Sequence, residues 1–243
     1  EALKNLPERQ IYSTGMERFD DMIRGVREGD LIVLSGVPGS GKSQWLVSIA
    51  KQMEALKPLF FSYEMPAPEL LERFGDNMTS FYLPLMATSG YPSWIEKKIR
   101  ESQAKYGTKV VFIDHLHYLT DQKTAANRNS SEIIGALVRE IKMIARNTKT
   151  IIFLACHVRK INDKGGRATM QDLKDSSGIA AEADIVLILH RIGAKRAKKD
   201  DDEDVLISND AWLYIEKCRH FGSKLGKIKM CLDVDGFYVE IKE

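Results

Sequence analysis

The chain is 243 residues long, enough for one large domain or two small ones, and a hydrophobic content of 44% can fill a core. Lys+Arg 36 against Asp+Glu 34 leaves a net charge of +2, so bulk charge gives no case for nucleic-acid binding and any basic site must be local. Cys156, Cys218 and Cys231 lack C-x-x-C spacing, which argues against a disulfide framework or cysteine zinc site and fits a reducing compartment; no apolar run approaches the ~18 residues of a membrane span.

The first 14 residues are too short for a domain and read as an arm or linker to a single domain over 15–243. The chain begins at Glu1 with no visible signal peptide, as an excised domain would. Short Val-, Ile- and Phe-rich runs then recur: LIVLS (31–35), LFFS (59–62), VVFID (110–114), IIFLAC (151–156), DIVLILH (184–190) and AWLYIEK (211–217). Near-continuous apolar strands of this kind are buried on both faces, as in a parallel sheet. Helical spacing fills 43–56, 66–79, 92–106 and 131–147; in the last, Ile133, Ile134, Leu137, Val138, Ile141 and Ile144 share one face. The end, GKIKMCLDVDGFYVEI, reads as two strands joined at Asp235-Gly236. The class is α/β, mainly parallel, with helices on both faces and a late antiparallel hairpin.

Three polar stretches, 120–130, 158–172 and 192–210, carry no clear element. The first two follow strands, at the sheet edge where α/β proteins bind ligands. In the third, Lys195, Arg196, Lys198 and Lys199 precede the acids 200–204, which suits a solvated loop with cancelling charge.

Directly after LIVLS comes GVPGSGKS, which fits G-x-x-x-x-G-K-[ST] between a strand and a helix. Its glycines let backbone N–H groups approach phosphate oxygens, and the following helix adds its positive N-terminus. Gly36, Gly39, Ser40, Gly41, Lys42, Ser43 and Gln44 are therefore the nucleotide-binding candidates, with Lys42 on the β and γ phosphates and Ser43 on Mg²⁺. Such a site takes ATP, with other nucleoside triphosphates left open. It also needs a carboxylate from a neighbouring strand for the metal's water shell, and Asp114 ends one. Hydrolysis needs a group that orients water, and Glu64 emerges after the next strand at the same edge, although an acid before Pro66 could also serve as a helix N-terminal charge. His115 and His117 alternate along the chain, but the sequence places no third ligand beside them, so no transition-metal site is read there.

STGMERFDDMIRGVREGDLIVLSGVPGSGKS resembles the opening of RecA-type ATPase cores, and FFSYEMP resembles the S-x-E-M element of DnaB-type replicative helicases. FLACHVRK, DLKDSSGIAAEADIVLILHR and EKCRHFG resemble later motifs of that family in the same order, from about residue 11 to the end. His157 together with K-C-R looks closest to phage primase-helicases and the mitochondrial Twinkle type, whereas bacterial DnaB proteins usually have Gln at that point.

The resemblance implies a RecA-like core and assigns roles. Glu64 matches the catalytic carboxylate, and His157 the residue that touches the γ-phosphate and reports to the DNA loops. Lys217 and Arg219 match a pair reaching into the neighbouring subunit's ATP site, and strand alternation puts both on one face. Arg191 matches an arginine that stacks on adenine, with Leu232 standing where an aromatic would complete the sandwich. Single-stranded DNA would be gripped by Lys123 and Arg128 in the first loop and by Arg159, Lys160, Lys164 and Arg167 in the second, where backbone phosphates need cations rather than base contacts. The family further implies a hexameric ring, 5′–3′ translocation, a primase domain or partner upstream and no membrane. The compartment would be the cytoplasm (nucleoid or infected cell), or the mitochondrial matrix for a Twinkle-like protein. A RecA/RadA-like recombinase and a clock-type ATP-dependent switch are the alternative readings.

Overall fold

The computed structural model describes residues 9–75, 81–84, 91–116, 130–157, 168–169, 177–192 and 209–241. Strand β1 (Ile11–Tyr12) pairs antiparallel with β2 (Val26–Arg27) around helix α1 (Glu17–Ile23). Then follow β3 (Leu31–Gly36), α2 (Lys42–Gln52), β4 (Leu59–Ser62), α3 (Ala67–Phe74), α4 (Pro92–Tyr106), β5 (Val110–Asp114), α5 (Ser130–Thr148), β6 (Ile151–His157), α6 (Ser177–Glu182) and β7 (Ile185–Arg191). The chain ends in β8 (Asp210–Cys218), β9 (Gly226–Leu232) and β10 (Tyr238–Glu240).

Among the described residues the main sheet has eight strands in the order β10-β9-β8-β7-β3-β6-β5-β4. The five from β7 to β4 are parallel and β8, β9 and β10 are antiparallel. The parallel strands are buried along almost their whole length, as their unbroken apolar runs require. Alternation sends Ile32, Leu34, Phe60, Phe112 and Phe153 to the face covered by α1, α2 and α3. Leu31, Val33, Val111, Ile113 and Leu154 go to the face covered by α4, α5 and α6. On the first face Phe112 stacks on Phe60 at 5.6 Å and on Phe153 at 5.1 Å between ring centroids. Truncating a core aromatic of this kind costs roughly 3–5 kcal/mol.

Several boundaries differ from the sequence reading, each with a local cause. The helix expected over 43–56 stops at Gln52 and tightens into a 3₁₀ turn, Glu54–Leu56, closed by Lys57 at φ 52. The one expected over 66–79 ends at Phe74, where Gly75 turns the chain at φ 64. The strand expected from Asp184 begins at Ile185, because Asp184 turns inward to accept the Leu31 N–H at 2.7 Å and pair with buried Lys142. Gly178 of α6 meets Gly135 of α5 so closely that a Cβ at 178 would lie 2.4 Å from the Gly135 Cα, so the glycine pair sets how near α6 sits.

Residues 9–14 of the expected arm lie against the domain. Arg9 pairs with Asp30, and Thr14 donates its N–H and hydroxyl to Asp20 at 2.9 Å. Asp30 also meets His220 Nε2 at 2.9 Å, while His220 Nδ1 donates to the Ile23 carbonyl at 2.8 Å. Burial opposes a charged imidazole, but Asp30, Cys218 and the Ile23 carbonyl outweigh it and push His220 up from 6.5 to about 10. A raised histidine adds stability in full below its unfolded value and loses it as pH climbs through the folded value. Unfolding in urea should therefore show wild-type stability falling from pH 7 to 10. Asp30→Asn should start roughly 3–5 kcal/mol lower, the cost of breaking a buried pair, and stay nearly flat over that window.

Candidate functional site

The carboxyl ends of the five parallel strands converge on one edge, where they place Gly36, Glu64, Asp114, His157 and Arg191. The register aligns Gly36 with His157 and Ser62 with Asp114, so strand pairing fixes these positions relative to one another. Beyond Gly36 the chain turns through Gly39, Ser40 and Gly41 into α2, whose first turn contains Lys42, Ser43 and Gln44. Its N-terminal N–H groups face the loop, an arrangement that attracts anions. Gly41 holds φ 91, and a Cβ there would lie 2.5 Å from the Tyr238 hydroxyl, so glycine is required twice over.

Lys42 is buried inside this loop and donates to the Gly36 and Val37 carbonyls at 3.2 Å each. Burial lowers its ammonium pKa, against the pull of Cys156, Asp114 and Glu64. Asp114 is buried too. Burial pushes its carboxyl up, the Ser43 hydroxyl pulls it back by a hydrogen bond, and the Glu64 charge raises it further. Its Oδ1 meets no hydrogen-bond partner among the described residues, and neither does the buried Ser40 hydroxyl. A buried carboxylate oxygen facing a serine hydroxyl is an oxygen-only donor set suited to hydrated Mg²⁺, and the loop suits a triphosphate. The residues fit both.

Glu64 stands two residues beyond β4, tied to β5 by the Tyr63 N–H donating to the Asp114 carbonyl at 2.7 Å. Its carboxylate meets His115 Nδ1 at 3.0 Å and lies 3.9 Å from His157 Nε2. The Glu64 side chain is 42% exposed and open to solvent, while His115 is 7% and His157 24% exposed.

A cleft of ≈ 350 Å³ lies between the loop and the β9–β10 hairpin, lined by Gly41, Gln44, Arg73, Arg191, Leu232 and Tyr238 among others. Gln44 does not turn into the phosphate loop; its amide donates to the Gly236 carbonyl at 2.7 Å and holds the hairpin turn against α2. Arg191 and Leu232 face one cleft, as the base-stacking expectation requires.

Lys217 and Arg219 lie elsewhere. Because β8 runs antiparallel to β7, with Ala211 opposite Arg191 and Cys218 opposite Ile185, the chain carries them to the other end of the sheet. The length of β7 puts about 20 Å between that end and the phosphate loop. There Lys217 donates to the Ala180 carbonyl and Arg219 to the Ala181 carbonyl, two cations at the C-terminus of α6, with Arg219 3.8 Å from Asp184. Burial and the Arg219 charge lower the Lys217 ammonium pKa.

The profile of the DnaB-like helicase C-terminal domain matches residues 12–89 and 79–235. The chain belongs to this family. The replicative DNA helicase DnaB of Mycoplasma genitalium is 27% identical over 254 residues, covering 90% of this chain and 53% of that protein. The replicative DNA helicase DnaC of Bacillus subtilis is 25% identical, over 73% of this chain and 46% of that protein. The chain thus spans about half the length of the curated relatives it matches. A solved DnaB-like replicative helicase, described with its interactions with primase, superposes with TM-score 0.79 at 19% identity, covering 96% of this chain and 63% of that one. A second solved structure, an isolated ATPase domain, superposes at 0.76 with 18% identity, covering 94% of this chain and 90% of that one. The resemblance read from SYEM and the later motifs is borne out, and so is the RecA-like sheet.

Within this DnaB-like domain the structure gathers Lys42, Ser43, Asp114, Glu64 and His157 at one edge and carries Lys217 and Arg219 to the other. Lys123, Arg128, Arg159, Lys160, Lys164 and Arg167 lie outside the described residues, as does His117. The sequence pairs His115 only with His117; in the fold it meets Glu64, 51 residues earlier in the chain, and no spacing rule reaches that far. No helix among the described residues is long and apolar enough to cross a membrane.

Proposed function

We propose that the chain is the ATPase motor domain of a replicative DNA helicase, which hydrolyses ATP between subunits to translocate on single-stranded DNA and unwind duplex. What supports it most is the split of the machinery within one chain. The acceptor half (Lys42, Ser43, Asp114 and Glu64) sits at one sheet edge, and the cationic pair Lys217 and Arg219 at the other. One subunit thus offers half of two sites, which a ring of six copies would complete. The recombinase and switch alternatives are set aside, since the family match is to a helicase domain.

In this mechanism the loop from Gly36 to Ser43 binds the phosphates through its N–H groups, with Lys42 swinging from the Gly36 and Val37 carbonyls onto the β and γ oxygens. Ser43 and Asp114 would hold Mg²⁺, which supplies charge neutralisation on those oxygens. Arg191 and Leu232 flank the base. Glu64 orients water and accepts its proton, held by His115. Arg219 of the adjacent subunit, backed by Lys217, steadies the charge that builds on the departing phosphoryl group. His157, beside Glu64 and at the start of 158–167, passes the loss of the phosphate to Arg159, Lys160, Lys164 and Arg167, while Lys123 and Arg128 supply the second grip. The arm before residue 15 would lead to a primase domain or a primase-binding region, in a cytoplasmic protein moving 5′–3′.

Steady-state ATP hydrolysis with and without single-stranded DNA, over a range of protein concentrations, tests the reading. Turnover should rise with DNA and with concentration. Turnover indifferent to both would refute it.

A further inference from the structure

We propose that Glu64, His115 and His157 form a second cation site, separate from the Ser43–Asp114 position, which binds a divalent ion of the zinc class and switches hydrolysis off. One carboxylate oxygen and two imidazole nitrogens lie within 4.8 Å of one another. The closest pair is 3.0 Å apart and Glu64 to His157 3.9 Å, with the two rings edge-on at 4.2 Å between centroids. Zinc–nitrogen and zinc–oxygen bonds of about 2.0–2.1 Å put tetrahedral ligands about 3.3 Å apart. The cluster therefore closes on an ion with shifts of up to about 1.5 Å, shared between the solvent-exposed Glu64 side chain and rotation of the His157 ring.

Two features favour a ligand set over a chance meeting of polar groups. The three residues sit at or just past the ends of β4, β5 and β6, three successive neighbours in the sheet, so strand pairing holds their backbones in place. Nearby, Asp114 and Glu64 both act electrostatically on the Lys42 ammonium, so two carboxylates stand against the one lysine beside the cluster. The donors also sort the metals. Mg²⁺ takes oxygen ligands and suits Ser43 and Asp114, whereas two imidazoles with a carboxylate suit zinc, cobalt or nickel. Three protein ligands leave a fourth position for water on the solvent side, where Glu64 and His157 are open.

Occupancy would engage the Glu64 lone pairs that accept the proton of the attacking water, so turnover should fall by at least ~10²-fold with the phosphate loop still able to bind nucleotide. That half of the proposal rests on Glu64 being the base; cation binding itself does not. The test uses Co²⁺ as the probe on the nucleotide-free chain. The wild type should give the visible absorption of four-coordinate cobalt, saturating at one equivalent and displaced by Zn²⁺. His115→Ala and Glu64→Gln should each weaken it at least ~10-fold. Glu64 is solvent-facing and Gln matches its shape, so the second variant keeps the comparison valid if the first unfolds. A cobalt spectrum indifferent to Glu64→Gln overturns the site and leaves a hydrogen-bonded His–Glu pair. Wild-type ATP hydrolysis is then followed against Zn²⁺ at fixed Mg-ATP, with kcat expected to fall and KM to hold. A cobalt site present without zinc inhibition keeps the site and overturns its role as a switch, and turnover of Glu64→Gln then decides separately whether Glu64 is the base.

Discussion

Arg219→Ala is expected to lower kcat/KM for ATP by about 10³–10⁵, the range for a trans arginine in phosphoryl transfer, while nucleotide binding by the same chain is unchanged. The separation of functions follows from β8 running against β7. Arg219 lies past the end of β8, opposite the start of β7, about 20 Å from the phosphate loop that follows β3. A side chain cannot cross that gap, so its loss is felt only in the site of the next subunit. A mixing experiment makes this visible. Lys42→Ala subunits lack the phosphate grip but keep the finger, and Arg219→Ala subunits have the reverse. Some interfaces in a mixture then pair an intact loop with an intact finger, and activity should exceed the sum of the two parts. Simple addition would mean that the pair acts within one chain or not at all. Arg219 also caps α6 through the Ala181 carbonyl, so folding needs its own control. Arg219→Lys keeps a cation at the helix end without the planar fork; its melting temperature should stay near wild type while turnover remains low.

How much of this was legible in the sequence depended on the range of the interaction that fixes each feature. Strands buried on both faces declare themselves, and LIVLS, LFFS, VVFID and IIFLAC all became parallel strands. Helix ends were less legible because single residues decide them: Gly75, with positive φ, cuts one helix short of the apolar periodicity, and another tightens from α into a 3₁₀ turn past Gln52 that Lys57 closes. Asp184 looked like the first residue of a strand, yet its carboxylate serves Leu31 and Lys142, partners 153 and 42 residues away. The phosphate loop was readable because its chemistry is local: consecutive backbone positions and one lysine make the site. Asp114 and Glu64 followed from strand order, once the parallel sheet was assumed. Lys217 and Arg219 were ordinary charges until a resemblance assigned them, since residue spacing does not say which end of the sheet a strand finishes on. The Glu64–His115–His157 cluster and the Asp30–His220 pair were invisible for the same reason; each joins segments brought together only by the finished sheet.

Glu64→Gln is expected to cut kcat by about 10²–10⁴ with ATP affinity intact, the usual contribution of a positioned base. The amide matches the carboxylate in size and can still hydrogen-bond His115, so the local geometry at 3.0 Å has little reason to change. What it loses is the ability to take a proton from water. The neighbouring Asp114 does not substitute, because it is buried against Ser43. Single-turnover hydrolysis separates the steps: ATP binding, read by a fluorescent analogue, should be normal and the phosphate burst should vanish. Loss of binding would instead move Glu64 from water activation to nucleotide retention. Normal hydrolysis would hand the base role to another group, with His157, 3.9 Å away, the first to examine. His157→Ala then completes the comparison: if His157 only relays phosphate loss, the variant keeps basal turnover within a few-fold and loses its stimulation by single-stranded DNA.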